Sequence, residues 1–462
     1  MDAPAAPPLD APGLASEGST YSALLSEDVD GGAARPDVRW HTHLAFAALG
    51  VGPGWLLCDA VYLQVPWSQT TQPEGLALSS YIITSFNAAN IVIVLLLLAH
   101  RVHARQGGDA RALDEGVMVA MILATVLGLV GAALFWDVAT ETHSVALLGL
   151  SFLGGAIGAL RLSVMMPWML SYDDRLISSA VLGGALADGA SAVIALVQQP
   201  GGMRLFSPTI FYLIAALLAL PSLVAFALIK RFRLGLLPAP PARPPAEKGQ
   251  AAGGRAVVEV DRQDAKLTVG SIRDRARAAL SRAPWLGHAT FLWLMFASMQ
   301  SVVWGISPGL MPFAARNAVR GPGASNLLAE DVLSYAIDLS YIGLVAGSYA
   351  SLICPSYRLV PQVAVLLAFG AVTVGMAYTP NPGLPASAGA AMLITSNVLM
   401  RFADGYATAM IFRCVAVDTR YDDAQNIVQR AISLAERVST TIGAGIAWWL
   451  ADGLMRTGGY TL

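Results

Sequence analysis

Eight ionisable side chains stand inside long apolar runs of this sequence: Asp59, Arg161, Asp188, Asp338, Arg401, Asp404, Glu436 and Arg437. A charge in hydrocarbon is expensive, so each such residue marks an ion pair or a polar cavity. Arg401 and Asp404 are three residues apart on one helix face, close enough to pair or to share a ligand. Glu436 and Arg437 are adjacent and point in different directions, so their partners are expected across the bundle. With Arg161, these four form a candidate ion-pair or gating set. Asp59 and Asp188 have no basic neighbour at helical spacing, and they are the stronger candidates for touching a polar ligand. Asp338 lies only about a turn and a half inside its run, where a structural role near the interface is expected.

Trp55, Asp59 and Tyr62 are spaced i, i+4 and i+7 and share one face of a continuous helix. An aromatic, an acid and an aromatic make a poor lipid-facing surface and a good wall for a polar heterocycle. Just before them, Gly50-Val51-Gly52-Pro53-Gly54 is expected to bend or break the helix, and Pro66 to end it. Irregular backbone at membrane depth is tolerated where it lines a cavity. Gln64, Asn87, Asn90, Asp188 and Tyr406 are the further candidates for that wall. The site is expected to be reached first from outside.

The elements that must carry these residues follow from composition. Of 462 residues, 55% are hydrophobic and 13% charged, and the mean hydropathy is +0.57. Soluble proteins carry about 25% charged residues. This excludes a soluble enzyme, a secreted disulfide scaffold and a nucleic-acid binder, and places the chain in a lipid bilayer. Spans of about 20 apolar residues are expected near 42–64, 77–100, 116–136, 144–166, 176–197, 207–229, 286–307, 333–354, 359–378, 387–413 and 428–452. That is eleven, six plus five around a polar loop. The expected division is a cytoplasmic disordered tail at 1–40, a six-helix half at 41–229 and a cytoplasmic central loop at 230–285. A five-helix half at 286–455 and an extracellular tail at 456–462 complete it.

With the N-terminus inside, the inner segments hold 22 of the 29 Lys and Arg, twelve of them in the central loop, and the outer segments hold four. Without that loop the ratio is ten to four, so the positive-inside rule favours a cytoplasmic N-terminus and an extracellular C-terminus. The tail before His43 lacks the basic start of a signal peptide. Cys58, Cys354 and Cys414 lie in or beside apolar runs and read as small buried thiols. No zinc-protease motif or P-loop occurs. Gly305-Ile306-Ser307-Pro308-Gly309 matches the letters of a nucleophile elbow but reads as a helix stop. No enzyme activity, metal or cofactor is expected, and no nucleic acid or obligate protein partner.

One constellation is more specific. Gly52-Pro53-Gly54-Trp55, Asp59, Tyr62-Leu63-Gln64-Val65-Pro66, Pro73-Glu74-Gly75, Leu78, Ser80-Tyr81 and Asn90 resemble the opening of the eukaryotic riboflavin transporter family, of the solute carrier type. Pro167, Leu182-Gly183, Val193 and Leu196-Val197-Gln198 form a second similar block, and the surroundings of Tyr406 a weaker third. Five polar positions depart: Asp59 stands for an Asn, Gln64 for a Glu, Arg161-Leu162 for a small polar pair, Gly184 for a Gln and Thr408 for a Lys. The resemblance implies a distant member. The fold implied is an all-α polytopic membrane protein of eleven transmembrane helices, like the major facilitator or equilibrative nucleoside transporter type.

The function so implied is sodium-independent movement of riboflavin across the plasma membrane by alternating access. No ATP site is visible, so transport is expected to be facilitative or coupled to an ion or proton. The alternatives are a carrier of a nucleoside or other small heterocycle, and a receptor or scaffold with no transport cycle. At Asp59 a carboxyl group can exchange a proton where an amide cannot, so more pH-dependent transport is expected of this chain.

Overall fold

The computed structural model describes residues 39–169, 172–199, 204–235, 284–320, 328–356, 359–379, 384–418 and 425–457. Most of the expected cytoplasmic tail and central loop, and the last residues of the expected C-terminal tail, lie outside them.

Helices account for nearly all of the described chain. The first, α1, is a bent pair, Trp40–Val51 and Leu56–Leu63. There follow α2 (Gly75–Arg105), α3 (Ala110–Phe135), α4 (Val145–Met169), α5 (Arg175–Gln198), α6 (Pro208–Phe232), α7 (Thr290–Ala318), α8 (Ala329–Ile353) and α9 (Leu359–Tyr378). The last two are α10 (Ala386–Asp418) and α11 (Gln425–Thr457). Among the described residues, eight helices are long and apolar enough to cross a membrane, and the bent pair brings this to nine. The expected count of eleven is not reached by that measure. α10 and α11 have the length, 33 residues each, but their runs include Arg401, Asp404, Glu436 and Arg437.

Outward faces are apolar: Ile91, Leu95, Leu98, Leu127, Leu134 and Leu217 are all exposed. In water such a surface would associate; in a bilayer it is ordinary. The chain is a multi-pass membrane protein.

The break in α1 falls where the glycines and proline predict it, and the two pieces meet at 58°. Hydroxyls from neighbouring helices satisfy the backbone groups the break frees. Gly52 N–H donates to Ser222 Oγ of α6 at 2.7 Å, and Thr125 Oγ1 of α3 donates to the Gly52 carbonyl at 2.7 Å. Below the break, α1 and α5 touch backbone to backbone. A Cβ built on Gly50 would lie 2.0 Å from the Ala180 carbonyl oxygen, and one on Gly183 1.9 Å from that of Ala47, so only glycine fits either place.

Two helices carry π-turns, Arg161–Met165 in α4 and Ser301–Ile306 in α7. Each inserts an extra residue and turns side chains away from the ordinary helical register, a feature frequent at functional sites. The helix stop expected at 305–309 does not occur. α7 continues to Ala318, because Pro308 falls in the first turn after the π-turn, where a missing amide breaks little. The cysteine expectation also needs correction at one place: Cys58 and Cys414 are buried, whereas Cys354, at the end of α8, is exposed.

The first six helices and the last five face each other. α5 packs on α8 and α10, α2 on α7 and α11, and the π-turn of α4 on α11. The buried charges lie along this seam.

Candidate functional site

A small cavity opens along the seam, walled among others by Trp55, Arg161, Asp188, Gln300, Trp304 and Asp404. Two of these, Arg161 and Trp304, sit on the π-turns. Trp55 from the first half stacks on Trp304 from the second, ring centroids 5.3 Å apart and planes 10° from parallel. Each indole also carries a guanidinium: Arg437 lies 4.4 Å from the Trp55 ring centroid and Arg401 3.8 Å from that of Trp304. A cation over a desolvated indole contributes on the order of 2 kcal/mol. The result is a layered stack, Arg437, Trp55, Trp304, Arg401, crossing from α11 through α1 and α7 to α10.

The acids are placed around this stack. Arg401 Nη1 is 3.5 Å from Asp404 Oδ2, and Asp404 Oδ1 accepts Gln300 Nε2 at 2.9 Å and Thr408 Oγ1 at 3.2 Å. Glu436 and Arg437 do not point apart as expected: Arg437 Nε is 3.0 Å from Glu436 Oε2. Neither of those atoms makes a hydrogen bond among the described residues, because neighbours on a helix cannot align the N–H with the carboxylate. Arg437 finds its donor role across the bundle instead, through Nη2 to the Gly158 carbonyl at 3.0 Å. Arg161 faces Asp188, Asp59 and Glu436. Asp338 is fully buried and, among the described residues, accepts Ser334 alone, at 3.0 Å on Oδ2.

Trp55, Asp59 and Tyr62 do share a face, and it is the face turned to the second half. Trp55 reaches the cavity. Asp59 sits behind Asp188 and accepts the Tyr341 hydroxyl of α8 at 2.7 Å. Tyr62 donates to the Pro308 carbonyl of α7 at 3.1 Å. Ser79 of α2 donates to the same oxygen at 2.6 Å, and Ser80 to the Gly309 carbonyl at 3.0 Å. The Pro308 carbonyl needs them, since its helical partner four residues on is Pro312, which has no N–H. These bonds seal the seam on the side of Tyr62. The cavity lies toward the other end, where Phe296, Met166 and Phe412 continue its wall.

The remaining candidates are tied elsewhere. Gln64 donates to Gln198 at 2.8 Å, Asn87 to the Ile83 carbonyl at 2.8 Å, and Asn90 to Thr441 at 2.9 Å, joining α2 to α11. Tyr406 donates to the Cys354 carbonyl at 2.7 Å and is not part of the cavity wall. Sequence reasoning missed Trp304, Tyr341 and Gln300. A Gln in the middle of an apolar run is a legible signal; Trp304 and Tyr341 differ in no way from packing aromatics until the halves are docked.

Fold and site together define a polytopic membrane protein with a charged, aromatic cavity between two helical halves. Residues 38–205 match the family described as solute carrier family 52, riboflavin transporter. Over 165 residues the chain is 28% identical to riboflavin transporter member 3-B of Danio rerio, 35% of either chain being covered. Over 170 residues it is 29% identical to member 2 of Homo sapiens, covering 35% of this chain and 36% of the relative. Riboflavin transporter 2 of Salmo salar is 28% identical over 174 residues, 37% and 36%. The chain thus matches about a third of the length of these relatives, and it resembles the family over its first five helices. Among solved structures, the E. coli fucose:proton symporter aligns over 90% of this chain and 92% of its own at 16% identity, with a TM-score of 0.44. An auto-inhibited peptide transporter aligns over 90% and 91% at 15% identity, TM-score 0.46.

Proposed function

We propose that this chain carries riboflavin across the plasma membrane by alternating access, without sodium. Its eleven helices form halves at 41–229 and 286–455, with the N-terminus and the loop at 230–285 cytoplasmic and the C-terminus extracellular. The observation that carries the reading is the overlap of two things. The segment matching the riboflavin transporter family, 38–205, also supplies Trp55, Arg161 and Asp188 to the cavity.

Riboflavin offers a flat ring, a donor and acceptor edge and a polyhydroxyl tail. Flat rings bind by stacking on aromatics, and the paired indoles are the largest flat surfaces at the cavity. Admitting a third plane between them needs a gap of about 7 Å, twice the ~3.5 Å of a carbon contact. In the present state they touch. Substrate entry therefore requires Trp55 and Trp304 to part, and since they belong to opposite halves, ring binding and movement of the halves are one event. Gln300, Asp404 and Asp188 supply polar groups for the ring edge or the tail.

The test is uptake of labelled riboflavin into liposomes holding the purified protein, with sodium replaced and with nucleosides as competitors. Saturable, sodium-independent uptake is expected. Trp55→Ala or Asp59→Ala lowers it at least about tenfold, ~1.4 kcal/mol in transition-state terms, with normal folding. Movement of a nucleoside but not of riboflavin transfers the site to that substrate class, and no movement of either solute leaves the receptor or scaffold reading.

A further inference from the structure

The buried charges do not balance. Around the cavity stand four acids, Asp59, Asp188, Asp404 and Glu436, and three arginines, Arg161, Arg401 and Arg437, all buried. An uncompensated charge in such surroundings is costly, and one bound proton makes the cluster neutral. The geometry also says where that proton sits. Asp59 Oδ1 accepts Tyr341, but Asp59 Oδ2 is buried with no donor among the described residues. The carboxyl of Asp188 stands within hydrogen-bonding reach of the Asp59 carboxyl. Two carboxylates cannot hydrogen-bond each other; a carboxylic acid and a carboxylate can, and strongly.

We propose that Asp59 and Asp188 are a proton-binding pair, Asp188 donating its O–H to the orphan Asp59 Oδ2, and that this proton travels with the solute. The proposal rests on the carrier reading above for its solute and on the pair alone for its proton.

Every charged or titratable neighbour fits. Arg161 from α4 and Arg401 from α10 face both acids, Tyr341 from α8 holds the far oxygen of Asp59, and Cys58 lies beside the pair on α1. Asp404 and Glu436 are engaged with Arg401 and with Arg437 and Arg161 respectively. Asp338, on the helix of Tyr341, is held by Ser334 and adds no charge interaction to the pair.

Access and coupling follow from position. Asp188 lines the cavity and Asp59 does not, so a proton enters and leaves through Asp188. Asp59 is on the upper piece of the broken helix and is tied through Tyr341 to the opposite half. Loss of the proton removes the Asp188 bond that helps fix Asp59 opposite Tyr341, so proton occupancy and the geometry of that tie between the halves are linked.

Two measurements test this. The first needs no solute: infrared difference spectra of the purified protein, titrated from acid to alkaline pH. A protonated-carboxyl band is expected that disappears reversibly, and that is lost in both Asp59→Asn and Asp188→Asn. The amide in Asp59→Asn supplies a donor that needs no proton. The second is riboflavin uptake into liposomes with the membrane potential clamped and the outside one pH unit more acid. One proton per solute drives accumulation up to about tenfold, 1.36 kcal/mol per unit, and neither Asn variant accumulates beyond equilibrium. Absence of the band in the unaltered protein, its persistence in both variants, or riboflavin uptake indifferent to the gradient overturns the proposal. A band that behaves as described in a protein that moves no riboflavin upholds the proton site and removes the riboflavin reading instead.

Discussion

Removing both donors to the Pro308 carbonyl should open the sealed side of the seam. Tyr62 and Ser79 bond one oxygen that has no helical partner, because residue 312 is proline. Tyr62→Phe or Ser79→Ala alone leaves that oxygen one donor and costs one hydrogen bond, about 1 kcal/mol. The double variant leaves it buried and bare, which adds a desolvation penalty of about 1–3 kcal/mol. In the open state water reaches the oxygen, so the penalty acts on the closed state alone. The double variant should therefore shift the closed-to-open ratio by about 3–5 kcal/mol, roughly a hundredfold or more, and by more than its two parts summed. The assay is pulsed electron spin resonance between labels at Thr71→Cys and Leu328→Cys, both exposed and on opposite halves, with Cys354→Ser removing the exposed native thiol. A longer distance is expected to dominate in the double variant and to be minor in either single one. Identical distance distributions in all four proteins, or strictly additive shifts, would refute the role given to the orphan carbonyl.

Three further outcomes are expected. Trp304→Ala should lower riboflavin uptake as much as Trp55→Ala does, whereas Trp136→Phe, half-buried and bonded through Nε1 to Thr209 at 3.2 Å, should change it little; initial rates at matched surface abundance decide. Gly50→Ala or Gly183→Ala forces a methyl group onto a carbonyl oxygen and should abolish the monodisperse peak in detergent, while Gly149→Ala meets open space and should raise thermal stability slightly, by the ~1 kcal/mol helix preference of Ala. Protease should cut the central loop, 230–285, only from the cytoplasmic side; cleavage by protease outside intact cells contradicts the orientation.

How far the sequence carries the structure differs from residue to residue. Glycine and proline at 50–54 act through their own backbones, so the α1 break is legible without any partner. Asp188, Arg161 and Asp404 are legible as cavity or ion-pair residues because placing them in lipid is costly whatever the fold, and Trp55 because it shares a helix face with Asp59. The Pro308 to Pro312 spacing announces an orphan carbonyl in the same local way, although the glycines around it suggested a helix end. What escapes is which helix each side chain meets. Asn90, Gln64 and Tyr406 are polar groups in apolar runs, the same signal as Asp188, yet their bonds hold helices together away from the cavity. The Trp55–Trp304 contact joins residues far apart in sequence, and no local period encodes it.

The placement of the charges has a consequence for how the chain enters the membrane. Asp and Arg at the centre of an inserting helix each cost about 2.5–3.5 kcal/mol, so α10 and α11 with two each are poor clients for insertion one at a time. Each nevertheless carries its own near neighbour of opposite sign, Arg401 with Asp404 and Glu436 with Arg437, and so can leave the translocon as a locally neutral unit. Stable residence then depends on docking surfaces already present. α8 provides one, with Gly343 and Gly347 lying against the Val398 and Phe402 carbonyls of α10, and the α7 π-turn provides another for α11. Synthesis order and assembly order are thus tied together: the two helices that complete the cavity are made last, and they cannot stay in lipid until it is being built. Chains cut after Asp418 should leave α10 accessible to protease when α8 carries a larger residue at Gly347, and protected when it does not.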